Sequence, residues 1–128
     1  MKKVSFDFDR TLSTKKVQDY AKSLIDEGVE VHITTARFEN ANQDLYNSYN
    51  NDDLFKVAKS LGIPKNRIHF MNMIDKYEFL ISDEDFIFHL DDDFTEIRLI
   101  RENCYYTKGI WLENGPNWID ECNELLKN

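Results

Sequence analysis

The chain has 128 residues, of which 41% are hydrophobic, and it carries a net charge of −8. This length and composition predict one folded domain over residues 1–128 and exclude a disordered chain. No apolar run exceeds three residues, which excludes a transmembrane span and a signal-peptide core, and the acidic charge argues against a large nonspecific nucleic-acid surface.

Strands and helices are predicted to alternate along the chain. Apolar alternation and β-branched runs predict strands at 3–8, 29–34, 67–71, 86–90 and 108–112. Helical spacing predicts helices from a Ser13 or Thr14 cap to Gly28, from an Asp52 or Asp53 cap to Leu61, and near 75–81, 94–102 and 117–127. The stretch 39–51 is weakly patterned and fits a short helix or a long loop. Five strands alternating with helices predict an α/β fold, a central parallel sheet with helices on both faces.

Polar residues gather where the predicted strands end. In chain order they are Asp7, Asp9 and Thr11 after the first strand, Thr34, Thr35 and Arg37 at the second, and Asp91, Asp92 and Asp93 after the fourth. Lys76 lies at the start of the short helix before the fourth strand. Because the carboxyl ends of parallel strands form one edge, we expect these side chains to meet there.

Clustered carboxylates repel one another and lose water, so a divalent cation is needed to offset their charge. An all-oxygen site with few protein ligands suits Mg²⁺, which commonly shares its coordination shell with a substrate phosphate. The cation also reverses the local sign of charge, so an acidic chain can still bind a small anion. The residue set therefore predicts phosphoryl chemistry.

The motif Asp7-x-Asp9-x-Thr11-Leu12, followed by Thr35-x-Arg37, Lys76 and Asp91-Asp92, resembles the haloacid dehalogenase (HAD) superfamily of aspartyl-phosphate hydrolases. Four motifs occur in the order of that family, at strand ends, across roughly residues 3–95. The resemblance implies a HAD-like, Rossmann-like three-layer α/β/α sandwich without a cap domain. It also implies a Mg²⁺-dependent phosphatase that works through an aspartyl-phosphate.

The resemblance assigns a role to each motif. Asp7 would be the nucleophile, and Asp9 would protonate the leaving oxygen and then activate water. Their two-residue offset would place both carboxylates on one side of a strand. Thr35 and Lys76 would bind the transferring phosphoryl group. Thr11 and Arg37 are further candidates for substrate binding, although Arg37 is equally suited to pairing with an acid of the site.

Magnesium would be held by Asp7, Asp91, Asp92 and the backbone carbonyl of Asp9. Strand alternation ending at Leu90 favours Asp91 and Asp92 over Asp92 and Asp93 as the metal pair, and Asp93 is predicted to cap the following helix. Arg10 stands where the family often has glycine, and its role is left open.

Three other functions share part of this residue set. In a receiver domain the acidic pair comes first, the phosphorylated Asp ends the third strand and the Lys ends the fifth. The motifs of this chain follow other strands, so their order argues against a receiver domain. A carboxylate-cluster metal nuclease would leave Thr35 and Lys76 without a role. A HAD-like module that binds phosphorylated ligands without turnover would have no reason for inactivity while Asp7 and Asp9 are both present. This module and the nuclease are the two alternatives to a phosphatase.

The missing cap bears on the substrate. Residues 38–75 are largely needed for a helix and a strand, which resembles the capless class of the family and the polynucleotide phosphatase domains in particular. We therefore expect a phosphorylated partner such as a nucleotide, a nucleic-acid end or another phosphate ester. The loop 38–51, with Tyr46 and Tyr49, is either the contact for that partner or a solvated connector. An oligomer in which a neighbouring subunit covers the site is compatible with the sequence.

The remaining polar and sulfur-containing residues are given structural roles. His32, His69 and His89 lie in predicted strands without metal-ligand spacing, so we expect core or sheet-face positions satisfied by hydrogen bonds. Cys104 and Cys122 are too few for a disulfide framework, which predicts small buried thiols and a cytoplasmic protein.

Overall fold

The computed structural model describes residues 1–39 and 50–127. Its five strands form one parallel sheet in the order β3-β2-β1-β4-β5. They are β1 (Lys3–Phe6), β2 (Glu30–Thr35), β3 (Ile68–Phe70), β4 (Phe86–Asp91) and β5 (Lys108–Trp111). The predicted parallel five-stranded sheet is confirmed, and its strand order is that of a Rossmann-like sheet.

Within the described residues, four α-helices connect the strands and a fifth follows β5, and together they cover both faces of the sheet, as predicted. They are α1 (Lys15–Asp26), α2 (Asp52–Leu61), α3 (Tyr77–Leu80), α4 (Phe94–Asn103) and α5 (Trp118–Leu126). The apolar faces of α1, α2 and α5 share one core with the central strands, whereas α3 and α4 pack on the opposite face. In the part of the chain that the structure describes, no helix is long and apolar enough to cross a membrane.

Aromatic packing under α1 and α5 holds the two central strands together. Phe6 of β1 stacks on Phe88 of β4 with ring centroids 6.0 Å apart, and Tyr20 meets the edge of Trp118 at 5.3 Å. Phe6 and Phe88 are fully buried. Burial of each such side chain contributes about 1.5–3 kcal/mol, so the pairing of β1 with β4 is strongly favoured.

The opposite face brings α4 close to the sheet. Gly109 of β5 permits this contact, because a Cβ there would lie 3.2 Å from the backbone oxygen of Ile97. The same face carries Ser5 and His89, which are paired across β1 and β4. The register shifts by one residue between the Lys3–Phe86 pair and the Ser5–His89 pair. This irregularity brings His89, in place of Phe88, opposite Ser5.

Several element ends differ from the prediction. Strand β1 ends at Phe6, two residues early, because the chain turns sharply after Asp7. The prediction of Asp52 or Asp53 as the N-cap of α2 is wrong. Asn51 holds that position without a side-chain cap bond, and both aspartates lie in the first helical turn.

Two further end predictions are resolved in different ways. Thr14 is the N-cap residue of α1, but its hydroxyl donates to the Thr11 carbonyl and caps no helical N–H. Gly62 closes α2 at a φ of 80°, a left-handed conformation that glycine adopts without strain.

Tyr46, Tyr49 and most of the loop predicted at 38–51 lie outside the described residues.

Candidate active site

The candidate site lies at the carboxyl ends of β1 and β4, where the chain direction across the sheet reverses. The backbone N–H of Asp7 donates to the Leu90 carbonyl at 2.9 Å, so the pairing of the two strands continues to the first residue of the site. Asp91 is the last residue of β4. Sheets of this type bind ligands at such a switch point.

A tight turn over residues 8–12 returns the chain toward Asp7. Arg10 has a φ of 62°, a left-handed conformation that costs a non-glycine residue about 1–3 kcal/mol. The turn brings the buried Thr11 hydroxyl to 3.0 Å from Asp7 Oδ2, where it donates a hydrogen bond. Thr11, predicted to bind substrate, therefore orients the carboxylate of Asp7 in this structure.

The turn also changes the expected relation between Asp7 and Asp9. Because β1 has already ended, the strand-alternation argument for placing both carboxylates on one side of a strand is wrong. Asp9 has an extended backbone inside the turn and an exposed side chain that binds different partners from those of Asp7. The turn therefore separates the two acids, and each carboxylate has its own set of hydrogen-bond partners.

Lys76 places a positive charge between two acidic side chains of the site. Its Nζ lies 2.7 Å from both Asp7 Oδ1 and Asp91 Oδ2, and the residue is only 3% exposed. Burial opposes the charged form, but the two carboxylates raise the pKa of Lys76 above its ordinary value. The Lys76 backbone N–H donates to Glu96 on α4, which fixes the chain just before α3.

The carboxylates of Asp7, Asp91 and Asp92 form a cluster in which one oxygen from each lies within 4.8 Å of the others. With Lys76 included, the four groups carry an excess of two negative charges when ionised. Burial first, and repulsion by Asp91 second, raise the pKa of Asp7 well above its ordinary value, although Lys76 opposes the shift. The all-oxygen donor set and its uncompensated charge fit a divalent cation such as Mg²⁺.

The three consecutive aspartates do different things. Asp93 caps α4 by accepting the Thr95 N–H at 2.9 Å, as predicted. Asp92 is half-buried, and its Oδ1 lies 3.3 Å from the Thr11 hydroxyl. The Asp92 backbone carbonyl accepts the indole N–H of Trp111 at 3.0 Å. The structure thus brings Asp91 and Asp92 to Asp7, and it assigns Asp93 to the helix.

Arg37 pairs with acids at the edge of the site. Its Nε and Nη2 donate to the two oxygens of Asp9 at 3.0 and 2.6 Å. Its Nη1 and Nη2 also donate to Asp53, at 2.7 and 2.9 Å, and the bond from Arg37 lowers the pKa of Asp53. The guanidinium is buried and lies 4.9 Å from the centre of the Phe8 ring. A bidentate contact of this kind fixes the geometry of both carboxylates.

The two threonines at the end of β2 have different environments. Thr35 is fully buried, and its hydroxyl accepts the Arg37 N–H at 3.2 Å. Thr34 turns to the other side, where its hydroxyl lies 2.7 Å from that of Ser5. Of the two, only Thr35 is in contact with a predicted site residue.

His89 is a neighbour of the site that the sequence interpretation left without a role. It is completely buried, and its Nε2 lies 2.8 Å from Asp91 Oδ2. Burial acts first to lower the pKa of His89. An ionised carboxylate only accepts hydrogen bonds, so the contact with Asp91 places a proton on Nε2 of the ring. Burial alone would raise the pKa of Asp91, but the bonds from His89 and Lys76 hold it well below its ordinary range. A signal was present, because residues two apart on a strand face the same way.

The other histidines and the cysteines match the structural roles expected for them. His32 lies between Glu30 and His69, at 2.5 and 2.8 Å, and the His69 ring stacks on Phe79. Cys104 and Cys122 are free and buried. Among the described residues, every buried polar side-chain atom has a hydrogen-bond partner.

Comparisons of the chain with family models, with curated proteins and with solved structures find no match.

Proposed function

We propose that the chain is a Mg²⁺-dependent phosphatase that hydrolyses a phosphate monoester through an aspartyl-phosphate on Asp7, in the manner of the HAD superfamily. The observation that carries the proposal is the convergence of Asp7, Asp91 and Asp92 around Lys76 at the sheet's switch point. Cation chemistry alone would need only the three acids. The buried lysine and the Asp9–Arg37 pair beside them supply what phosphoryl transfer requires in addition.

In the first step, a carboxylate oxygen of Asp7 attacks phosphorus, and the bond from phosphorus to the leaving oxygen breaks. The Thr11 hydroxyl, bound to Asp7 Oδ2, holds the carboxylate in one orientation for this attack. Lys76 balances the charge of the nucleophile and of the phosphoryl oxygens. The leaving oxygen takes its proton from Asp9.

The Arg37 contact bears directly on that proton. Arg37 donates to both oxygens of Asp9, so the leaving oxygen can reach this carboxyl group only when Arg37 gives up at least one of these bonds. An incoming phosphate offers Arg37 an alternative anion, while the bonds to Asp53 keep the guanidinium near the site. On this proposal Arg37 binds substrate and, in doing so, frees Asp9 to act as the acid.

In the second step, water attacks the phosphorus of the aspartyl-phosphate and Asp9 accepts the proton. The bond to the Asp7 oxygen breaks, which regenerates the carboxylate and releases inorganic phosphate. The Asp7, Asp91 and Asp92 carboxylates, with the backbone carbonyl of Asp9, would hold Mg²⁺. The bound cation would shield the carboxylate of Asp7 from the charge of the phosphate.

The proposed substrate is a phosphate ester with an accessible phosphoryl group, such as a nucleotide or a nucleic-acid end, and the proposed location is the cytoplasm. Asp9, one of the groups that would act on the phosphate, has an exposed side chain. Within the described part of the chain, the Asp9 side chain is therefore accessible to the leaving group of a substrate.

The test is release of phosphate from an aryl phosphate, nucleotides and end-phosphorylated oligonucleotides in the presence of Mg²⁺. The proposal requires turnover by the wild-type protein and by Asp85→Asn, a control at an exposed aspartate before β4, and none by Asp7→Asn. Binding of phosphate esters without turnover by the wild-type protein would support the binding-module alternative. Scission of an unphosphorylated oligonucleotide would support the nuclease.

A further inference from the structure

A chain of polar side chains crosses the middle of the sheet and ends at Asp91. The Thr34 and Ser5 hydroxyls are 2.7 Å apart, and Ser5 Oγ lies 2.8 Å from His89 Nδ1. The other ring nitrogen of His89 reaches Asp91 Oδ2 at 2.8 Å. Three neighbouring strands, β2, β1 and β4, thus contribute one residue each to a relay that contacts the candidate metal cluster.

The sheet register builds this relay. Ser5 is opposite His89 only because the pairing of β1 with β4 shifts by one residue after the Lys3–Phe86 pair. Without that shift, Phe88 would face Ser5. Irregularities of this kind are frequent beside active sites, where they redirect a side chain.

Polar side chains are unusual at fully buried positions in the middle of a sheet. Thr34, Ser5 and His89 are fully buried, and the other residues of β4 before Asp91 are apolar. A buried polar group that loses its hydrogen-bond partner destabilises the fold, so the three side chains must be kept together. An apolar side chain at position 89 would avoid this demand. The function of the relay is therefore expected at the carboxylate that it reaches, that of Asp91.

The group at its end is a carboxylate held by three donors. Asp91 Oδ2 accepts bonds from His89 Nε2 and Lys76 Nζ, and Oδ1 accepts the Asp93 N–H at 3.0 Å. An ionised carboxylate has about four acceptor positions, so little freedom of rotation remains. His89 is in turn held at its other ring nitrogen by the Ser5 hydroxyl, so the orientation of this donor is set from across the sheet.

We propose that His89, held by Ser5 and Thr34, is a positioning residue that fixes the orientation of the Asp91 carboxylate for a divalent cation. The inference rests on the proposed function in one respect, which is that the Asp7, Asp91 and Asp92 cluster binds Mg²⁺. Residues that orient a metal ligand in this way typically contribute about 10–100-fold to metal affinity.

The test is the Mg²⁺ affinity of the cation-free protein, measured by calorimetric titration without any substrate. His89→Leu removes both ring bonds, and we expect the dissociation constant to rise about 10–100-fold. His89→Gln retains an N–H near the position of Nε2, so we expect it to restore most of the affinity. Phe88→Leu, at the adjacent buried position on the opposite face of β4, is the control for a general loss of packing.

Wild-type affinity in folded His89→Leu overturns the inference, and so does an equal loss in Phe88→Leu. Should His89→Leu fail to fold, Ser5→Ala decides, because loss of its hydroxyl releases the ring and should weaken Mg²⁺ binding several-fold. Unchanged affinity in Ser5→Ala then refutes the relay. In a His89→Leu background that folds, Ser5→Ala should cause no further loss, since its effect passes through the ring.

These outcomes separate the inference from the proposed phosphatase. A wild-type protein that turns over phosphate esters, with His89 variants that bind Mg²⁺ normally, contradicts only the inference. A protein without phosphatase activity, whose Mg²⁺ affinity depends on His89 and Ser5, contradicts only the proposed function.

Discussion

Replacement of Lys76 by methionine should destabilise the cation-free protein strongly at neutral pH. The methionine side chain would fill a similar volume but leave Asp7 and Asp91 facing each other without the ammonium that now lies 2.7 Å from each. Removal of one partner from a buried ion pair typically costs about 3–5 kcal/mol. For a domain of this size, that corresponds to a fall in Tm of about 10–20 °C.

The loss should depend on pH and on Mg²⁺ in a defined direction. Lys76 contributes to the lowered pKa of Asp91 and opposes the raised pKa of Asp7, so both pKa values rise when it is removed. Protonation then relieves the unpaired charge, and the difference from wild type should shrink as the pH falls from about 7 toward about 4. Added Mg²⁺ should reduce the difference in stability between Lys76→Met and wild type at neutral pH, because a bound cation replaces part of the missing charge.

Urea unfolding followed by circular dichroism in EDTA measures these differences. Lys56→Met, at an exposed position on α2, controls for the substitution itself and should lie within about 0.5 kcal/mol of wild type. A loss below about 1 kcal/mol for Lys76→Met at neutral pH would contradict the buried charge balance of Lys76 with Asp7 and Asp91.

Three further outcomes are expected. Asp7→Asn should fold and lose turnover by several orders of magnitude, and a rate above about a tenth of wild type in a phosphate-release assay would refute its role as nucleophile. EDTA should abolish the proposed phosphate release reversibly, and Ca²⁺ should bind and inhibit it because of its looser coordination; undiminished phosphate release in EDTA would contradict this. Burial and His32 lower the pKa of His69 to about 4. Because only the unfolded chain then gains that proton, stability should fall between about pH 7 and pH 4, and less steeply in His69→Phe; equal slopes in urea titrations would contradict this.

The architecture was predictable from the sequence because its signals are local. Apolar alternation and helical spacing located each strand and each α-helix of the described residues to within a few residues. Strand β4 has the nearly continuous apolar run of a central parallel strand. Strand ends then indicated which polar residues would meet. The order of the strands in the sheet has no comparable local signal, since it depends on which faces pack together.

The finer geometry of the site depends on contacts that sequence patterns do not encode. The end of β1 at Phe6 follows from a turn that holds Arg10 in a left-handed conformation, which nothing in the local pattern required. The pairing of Arg37 with Asp53 joins a strand end to a helix start 16 residues away. The role of His89 depends on a one-residue register shift that pairs it with Ser5, a residue 84 positions earlier in the chain. Such long-range placements are fixed by tertiary packing.

The proposed mechanism is tested most sharply by a search for the phosphoryl group on the protein itself. The wild-type protein would be mixed with Mg²⁺ and a phosphate ester, quenched in acid during turnover, and mapped by peptide mass spectrometry. We expect a phosphoryl group on Asp7 that is absent from Asp7→Asn and from a wild-type reaction run in EDTA before the acid quench. Turnover with no phosphorylated peptide, or with the phosphoryl group on another residue, would contradict covalent catalysis by Asp7.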